Sequence, residues 1–176
     1  MVSIAEILTD SGRATADVAV EVISQKPELY DEAYQLCMKQ EGKMSMRAAR
    51  VVWLVAEHIP ELFHPYFEDM VNRLGTLEHS SVKRCMLKIL TVYDLSHEEE
   101  MHGLIIEACF KYMNNPEEEV AIRGYAISVL ERLQKVYPEI TGELIAALQI
   151  IVENDTETLA RYSGQRIKRL YKSIIP

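Results

Sequence analysis

Glycine and proline are scarce in this 176-residue chain, seven and six residues, each standing singly. That excludes a collagen-like chain and low-complexity organisation. No alternating polar and apolar run bounded by turn residues occurs, so nothing reads as a β-strand. No stretch approaches the ~20 apolar residues needed to cross a bilayer, and the opening MVSIAEILTDSG lacks the basic and long apolar regions of a signal peptide. A cytoplasmic protein without membrane contact is expected. Cysteine is limited to Cys37, Cys85 and Cys109, widely spaced among apolar neighbours, as suits small buried hydrophobes in a reducing compartment.

Chemistry-bearing motifs are missing as well. Metal sites need Cys or His paired at short spacing, and the five histidines include neither H-E-x-x-H nor an i, i+4 pair. Surface or capping roles are expected for them, with no metal and no cofactor. There is no G-x-G-x-x-G, no Walker loop and no G-x-S-x-G. The carboxylate runs Glu98-Glu99-Glu100 and Glu117-Glu118-Glu119 read as helix starts, where acidic residues complement the helix dipole. General acid–base catalysis has no candidate, and a non-enzyme is expected.

What is present is apolar periodicity. With 48% hydrophobic residues, a chain of this length can bury roughly 70% of its unfolded surface and needs no disulfide or metal to hold a core. Apolar residues recur at steps of three and four, as in Ala48, Val51, Val52, Val55, Ala56 and Ile59, and in Ile122, Tyr125, Ala126, Val129, Leu130 and Leu133. The chain is therefore helical throughout.

A longer period lies over the short one. M-R-A-A-R-V-V-W-L from Met46, V-K-R-C-M-L-K-I-L from Val82, I-R-G-Y-A-I-S-V-L from Ile122 and A-R-Y-S-G-Q-R-I-K from Ala160 align Arg47, Lys83, Arg123 and Arg161 at steps of 36, 40 and 38 residues. A second column holds Pro27-Glu28-Leu29, Pro60-Glu61-Leu62 and Pro138-Glu139-Ile140, with His97-Glu98-Glu99 in the equivalent place without its proline. Each unit is thus a pair of helices, the first opening near Pro-Glu-Leu and the second near the basic column. Turns fall at Glu41-Gly42-Lys43, at Gly75 to Glu78, at Asn114 to Glu117 and at Asn154 to Glu157. Asn115 with Glu118, and Ser96 with Glu99, have capping-box spacing.

This pattern of helical pairs, with V/I-R opening the second helix and P-E-L the first, resembles the HEAT repeat. The resemblance implies an all-α, armadillo-like α-solenoid of antiparallel hairpins with a right-handed superhelix, whose second helices line a concave face. It also implies a ladder between units built from the turn carboxylate and the basic residue. Glu41, Glu117 and Asp155 stand six residues before Arg47, Arg123 and Arg161, whereas Lys83 has Glu78 five before it, so irregularity is expected at the third unit. A single repeat domain is expected over 1–176, with a cap and half unit at 1–26 and two-helix units at 27–59, 60–96, 97–137 and 138–176.

A two-helix unit cannot bury its apolar face alone, so units must stack. In the third unit Met101, Leu104, Ile105, Ala108 and Tyr112 form one stripe and Ile106, Phe110 and Met113 another. Coverage on both sides is expected, the alternative being an exposed stripe that joins copies of the chain. Gly124 and Gly164 fall inside helices, where close helix approach is the expected reason.

Charge is uneven. Residues 158–176 carry +5 of a total of −8, leaving −13 on residues 1–157. Residues 82–95 and 120–137 lean the same way, at +2 each. If second helices line the inner face, a basic groove lies on an acidic body and steers an anionic partner. With Lys83, Arg123 and Arg161 assigned to the ladder, the partner-binding candidates are Arg84, Lys88, Arg132, Lys135, Arg166, Arg169 and Lys172, with Lys168 beside them. Arg84, Lys88 and Thr91 share a helix face, as do Ser128, Glu131 and Lys135, and Tyr162, Arg166 and Arg169.

The function expected is a non-enzymatic protein–protein interaction scaffold, monomeric or weakly homo-oligomeric, that binds an acidic partner segment. The alternative is a nucleic-acid binder resembling HEAT-like alkylpurine DNA glycosylases, with Trp53, Tyr93, Asp94 and Tyr125 as site candidates. A pI near 5.2 is far from the basic footprint of a DNA binder.

Overall fold

The computed structural model describes residues 3–174. The outermost ends of the first and last expected segments, residues 1–2 and 175–176, lie outside the described residues. Every regular element among the described residues is helical. The chain forms two compact units, Met1–Ile105 and Ile106–Pro176.

The first unit holds α1 (Ile4–Ile7), α2 (Arg13–Gln25), α3 (Leu29–Met38), α4 (Gly42–His58), α5 (Pro60–Phe63), α6 (Phe67–Leu74) and α7 (Ser80–Val92). Helix α8 (His102–Asn114) runs across the boundary. The second unit continues with α9 (Val120–Leu133), α10 (Thr141–Asn154) and α11 (Glu157–Ile174). Helix α3 packs on α4 and α4 on α7 in the first unit, and α10 packs on α11 and α11 on α9 in the second.

The 3.6-residue stripes form the cores. Ala48, Val51, Val52, Val55 and Ala56 are buried on α4, and Ile122, Ala126, Val129, Leu130 and Leu133 on α9, while Ile59 and Tyr125 at the edges of their stripes are only half-buried. Phe110 and Met113 are buried too, so the stripe they form with half-buried Ile106 is no exposed surface for joining copies of the chain. In the companion stripe Leu104 is exposed instead. All three cysteines are buried as free thiols, and burial pushes the thiols of Cys37 and Cys109 well above their ordinary range.

The long period reappears as physical ties between residues about one repeat apart. Tyr34 donates its hydroxyl to Asp69 at 2.8 Å, Tyr66 donates to Asp31 at 3.2 Å, and Arg47 reaches the Leu8 carbonyl at 2.7 Å. These pairs are 35, 35 and 39 residues apart. Gln40, at φ 57°, ends α3 in the left-handed region and aims its side-chain oxygen at the next turn. There it accepts from the Glu78 amide at 2.6 Å and the His79 amide at 3.1 Å. Gly42 follows at φ +51°, a conformation that only glycine adopts without steric cost. His79 completes the turn as a cap, its Nδ1 accepting from Ser81 N while its Nε2 donates to the Gly42 carbonyl.

The expected charge ladder is therefore partial. Arg123 pairs with Asp155, but Arg47 binds a carbonyl and Arg161 pairs with Glu157 of its own helix. A column of like residues fixes their place in the repeat, and the nearest unsatisfied acceptor then decides their partner.

Other local expectations are corrected. Helix α9 starts at Val120 with Glu119 at its cap, so Asn115 does not cap it. Asn115 instead accepts from Glu117 N, closing a turn three residues earlier. Ser96 donates its amide to Asp94 rather than capping a helix. The capping box that does form joins Ser3 and Glu6 at the start of α1. The first helix of the second repeat is interrupted by a 3-10 turn at His64–Tyr66, because Pro65 has no amide for the Glu61 carbonyl and its ring crowds the preceding turn. Close helix approach does not account for Gly124: a Cβ placed there would meet no heavy atom within 4 Å, and one at Gly164 would make only an ordinary contact with Val152 at 3.9 Å.

Glu32 of α3 anchors α1. Its carboxylate accepts from the Ser3 hydroxyl, from Ile4 N at 3.0 Å and from Ala5 N at 3.2 Å, so a negative charge sits at a helix N-terminus. Burial pushes this carboxyl upward, but the three hydrogen bonds outweigh burial and hold it below the usual glutamate range. A depressed folded value means that the stabilisation is present above the unfolded value and is lost as pH falls through the folded one. Protection factors of the Ile4 to Leu8 amides should therefore fall on acidification below about pH 4. Glu32→Gln should exchange fast already at pH 7, a loss of about 1 kcal/mol given solvent screening, and should flatten the acid limb.

Candidate functional site

The predicted cations are divided between the two units. In the first, α7 carries Arg84, exposed, and Lys88, half-buried. Lys88 is not a solvated anchor: its Nζ lies 3.3 Å from the centroid of the Trp53 ring, a cation–π contact that attracts the ammonium to the ring face. Trp53 is half-buried rather than core, and its indole Nε1 is buried with no hydrogen-bond partner among the described residues. Burial pushes the Cys85 thiol up to about 11, with the charges of Arg84, Lys88 and Arg50 acting in the opposite direction.

In the second unit the two triads read from helical spacing meet. Ser128 and Glu131 on α9 face Tyr162 and Arg166 on α11: the Ser128 and Tyr162 hydroxyls are 2.7 Å apart, and Arg166 Nε is 3.1 Å from Glu131 Oε2. The Arg166 guanidinium also lies 3.7 Å from the Tyr162 ring centroid and donates to its hydroxyl at 2.8 Å. Burial pushes the Glu131 carboxyl up, with Arg166, Arg169 and Lys135 pulling it down. Arg166 is consequently a bridge between α9 and α11, and the partner-binding candidate read from sequence has Glu131 as its partner within the fold.

Beside this bridge an open cleft of about 830 Å³ is lined by Arg132, Lys135 and Arg169 together with Ser128, Glu131 and Gln134. Gln134 Nε2 donates to Thr141 at 2.9 Å and so ties the end of α9 to the start of α10 at its far side. Lys135 and Arg169 are exposed and Arg132 is half-buried. Three of the seven predicted residues thus share one concavity, whose single carboxylate, Glu131, already holds Arg166. Lys172 is exposed further along α11 and does not line it.

Three of the residues considered for base recognition have other partners, Trp53 holding Lys88. Tyr93 is buried and stacked on Phe67 with centroids 4.9 Å apart, and Asp94 accepts from the Ser96 amide at 3.0 Å. Tyr125 belongs to the second unit. Among the described residues no three of His, Cys, Asp and Glu gather as metal ligands would, and no helix is long and apolar enough to cross a membrane.

Neither a search of curated proteins nor one of solved structures returned a match. A sequence profile of the HEAT repeat domain matches residues 6–169. That span takes in the paired helices, apart from the last turn of α11, and the ties about one repeat apart described above. The chain belongs to the HEAT-repeat family, and its role is of the protein-interaction scaffold kind.

Proposed function

We propose that the chain is a non-enzymatic scaffold that takes an acidic segment of a partner protein, with Arg132, Lys135 and Arg169 as the centre of the contact. The observation that carries this reading is their convergence on one open cleft of the second unit. Lys172, exposed on α11, supplies flanking positive potential, which raises the encounter rate more than the affinity. On this reading the protein works in the cytoplasm, as a monomer or weak homo-oligomer, and its hairpins wind as a single right-handed domain.

The test is fluorescence anisotropy with a labelled deca-glutamate peptide and with a labelled DNA duplex. The double reversal Lys135→Glu, Arg169→Glu should weaken peptide binding at least tenfold and leave the melting profile in place, since both side chains are exposed. Unchanged peptide affinity would remove the cleft from the mechanism. Tighter binding of the duplex, with affinity falling steeply as salt rises, would put the nucleic-acid reading first.

A further inference from the structure

A second concavity lies between α9 and α11, toward the start of α9. It measures about 270 Å³ and is lined by Val120, Gly124, Tyr125, Ser128, Leu159 and Tyr162 among others. That is below the ~300 Å³ at which small-molecule pockets begin, and suits one large side chain. Its lining is mainly apolar, and Val120 at its edge is 40% exposed. Gly124 lines it with open space where a Cβ would stand. A glycine inside a helix costs about 1 kcal/mol relative to alanine, and here no heavy atom lies within 4 Å of where a Cβ would stand.

Socket and basic cleft share Ser128. Between them runs a continuous polar floor: Tyr162 donates to the Gly124 carbonyl at 3.2 Å and meets Ser128, Arg166 reaches Tyr162, and Glu131 holds Arg166. From Gly124 to Arg132 and Lys135 is about 12–16 Å along α9 at 1.5 Å per residue. An extended peptide at about 3.3 Å per residue covers that in four or five positions.

We infer that these are two halves of one peptide groove, whose occupant is an extended acidic protein segment with a single aliphatic or aromatic anchor four or five residues from its carboxylates. The anchor fills the socket over Gly124, and the carboxylates meet Arg132, Lys135 and Arg169. This rests on the acidic-segment reading above and adds the anchor, its distance and its seat. Charge complementarity at one end and an unfilled apolar seat at the other select such an occupant over a uniformly acidic one.

The test is selection of a phage-displayed random dodecapeptide library on the wild-type chain, on Gly124→Leu and on Lys135→Glu, Arg169→Glu. A Cβ at Gly124 meets nothing within 4 Å, the open socket adjoins it and leucine is a better helix former, so the thermal midpoint of Gly124→Leu should equal or exceed that of the wild type. Val120→Glu, at an exposed rim position, is the second variant should leucine disturb the fold. Wild type should enrich acidic runs with an apolar residue four or five positions away. Gly124→Leu should keep the acidic run, lose the apolar preference and bind the wild-type peptide at least tenfold more weakly. The charge-reversed chain should lose the acidic run. Acidic peptides without an apolar position, or full affinity in both Gly124→Leu and Val120→Glu, would overturn the socket and leave the acidic reading standing. Apolar peptides without acidic residues, or no enrichment, would overturn both.

Discussion

Replacing Arg123 by methionine is expected to destabilise the second unit by about 3–5 kcal/mol, read as a drop in the urea midpoint with the slope retained. The residue is 4% exposed. Its Nε donates at 2.9 Å to the Met113 carbonyl, one of the last four of α8, which have no partner within the helix. Its Nη1 pairs with Asp155 in the turn between α10 and α11. Methionine preserves much of the volume but leaves a carbonyl unpaired and a largely buried carboxylate without its cation. The penalty is mostly that stranded charge, so Arg123→Met with Asp155→Asn should be more stable than Arg123→Met alone. Asparagine keeps a side-chain oxygen for the Thr156 amide, which Asp155 now holds at 2.9 Å. A double variant as unstable as the sum of its parts would show that the Met113 bond and packing carry the effect.

This residue shows how much was legible. The basic column placed Arg123 at the head of a second helix by spacing alone, whereas the tie between repeats through the turn carboxylates was what the resemblance to the HEAT repeat implied. Which partner each column residue takes depends on acceptors near in space: Arg47 finds the Leu8 carbonyl, and at the equivalent turn the tie is made by Gln40, a neutral side chain that no charge pattern marks. The candidate site divides in the same way. Helical spacing grouped Ser128, Glu131 and Lys135, and Tyr162, Arg166 and Arg169, and the groups meet across α9 and α11. Charge counting could not separate Arg166, paired with Glu131, from exposed Lys135 and Arg169. Glycine at 124 is equally ambiguous in sequence, since close packing and an open seat both permit it; only the empty volume distinguishes them.

Phe67→Ala should cost the first unit about 3–5 kcal/mol, in the range of large aromatic truncations in a packed core. Pro65 breaks the first helix of the second repeat, so α5 and α6 share no continuous ladder of backbone hydrogen bonds. What joins them to α7 is an aromatic cluster: Phe67 stacks on Tyr93 at 4.9 Å, while Phe63 meets Tyr93 edge-on at 5.3 Å and Phe67 at 6.2 Å. His64, in the 3-10 turn, fixes the Tyr93 hydroxyl at 2.9 Å. Such ring pairs add about 0.5–1.5 kcal/mol to what burial contributes, so Phe67→Leu, which keeps apolar volume and loses the ring geometry, should cost markedly less than alanine. Hydrogen exchange should then speed up first in α5, α6 and the end of α7, because the cluster stands in for the backbone bonds that Pro65 removes. If exchange rose equally in α2 and α3, the cluster would be ordinary core, and the broken helix would be held by its other contacts.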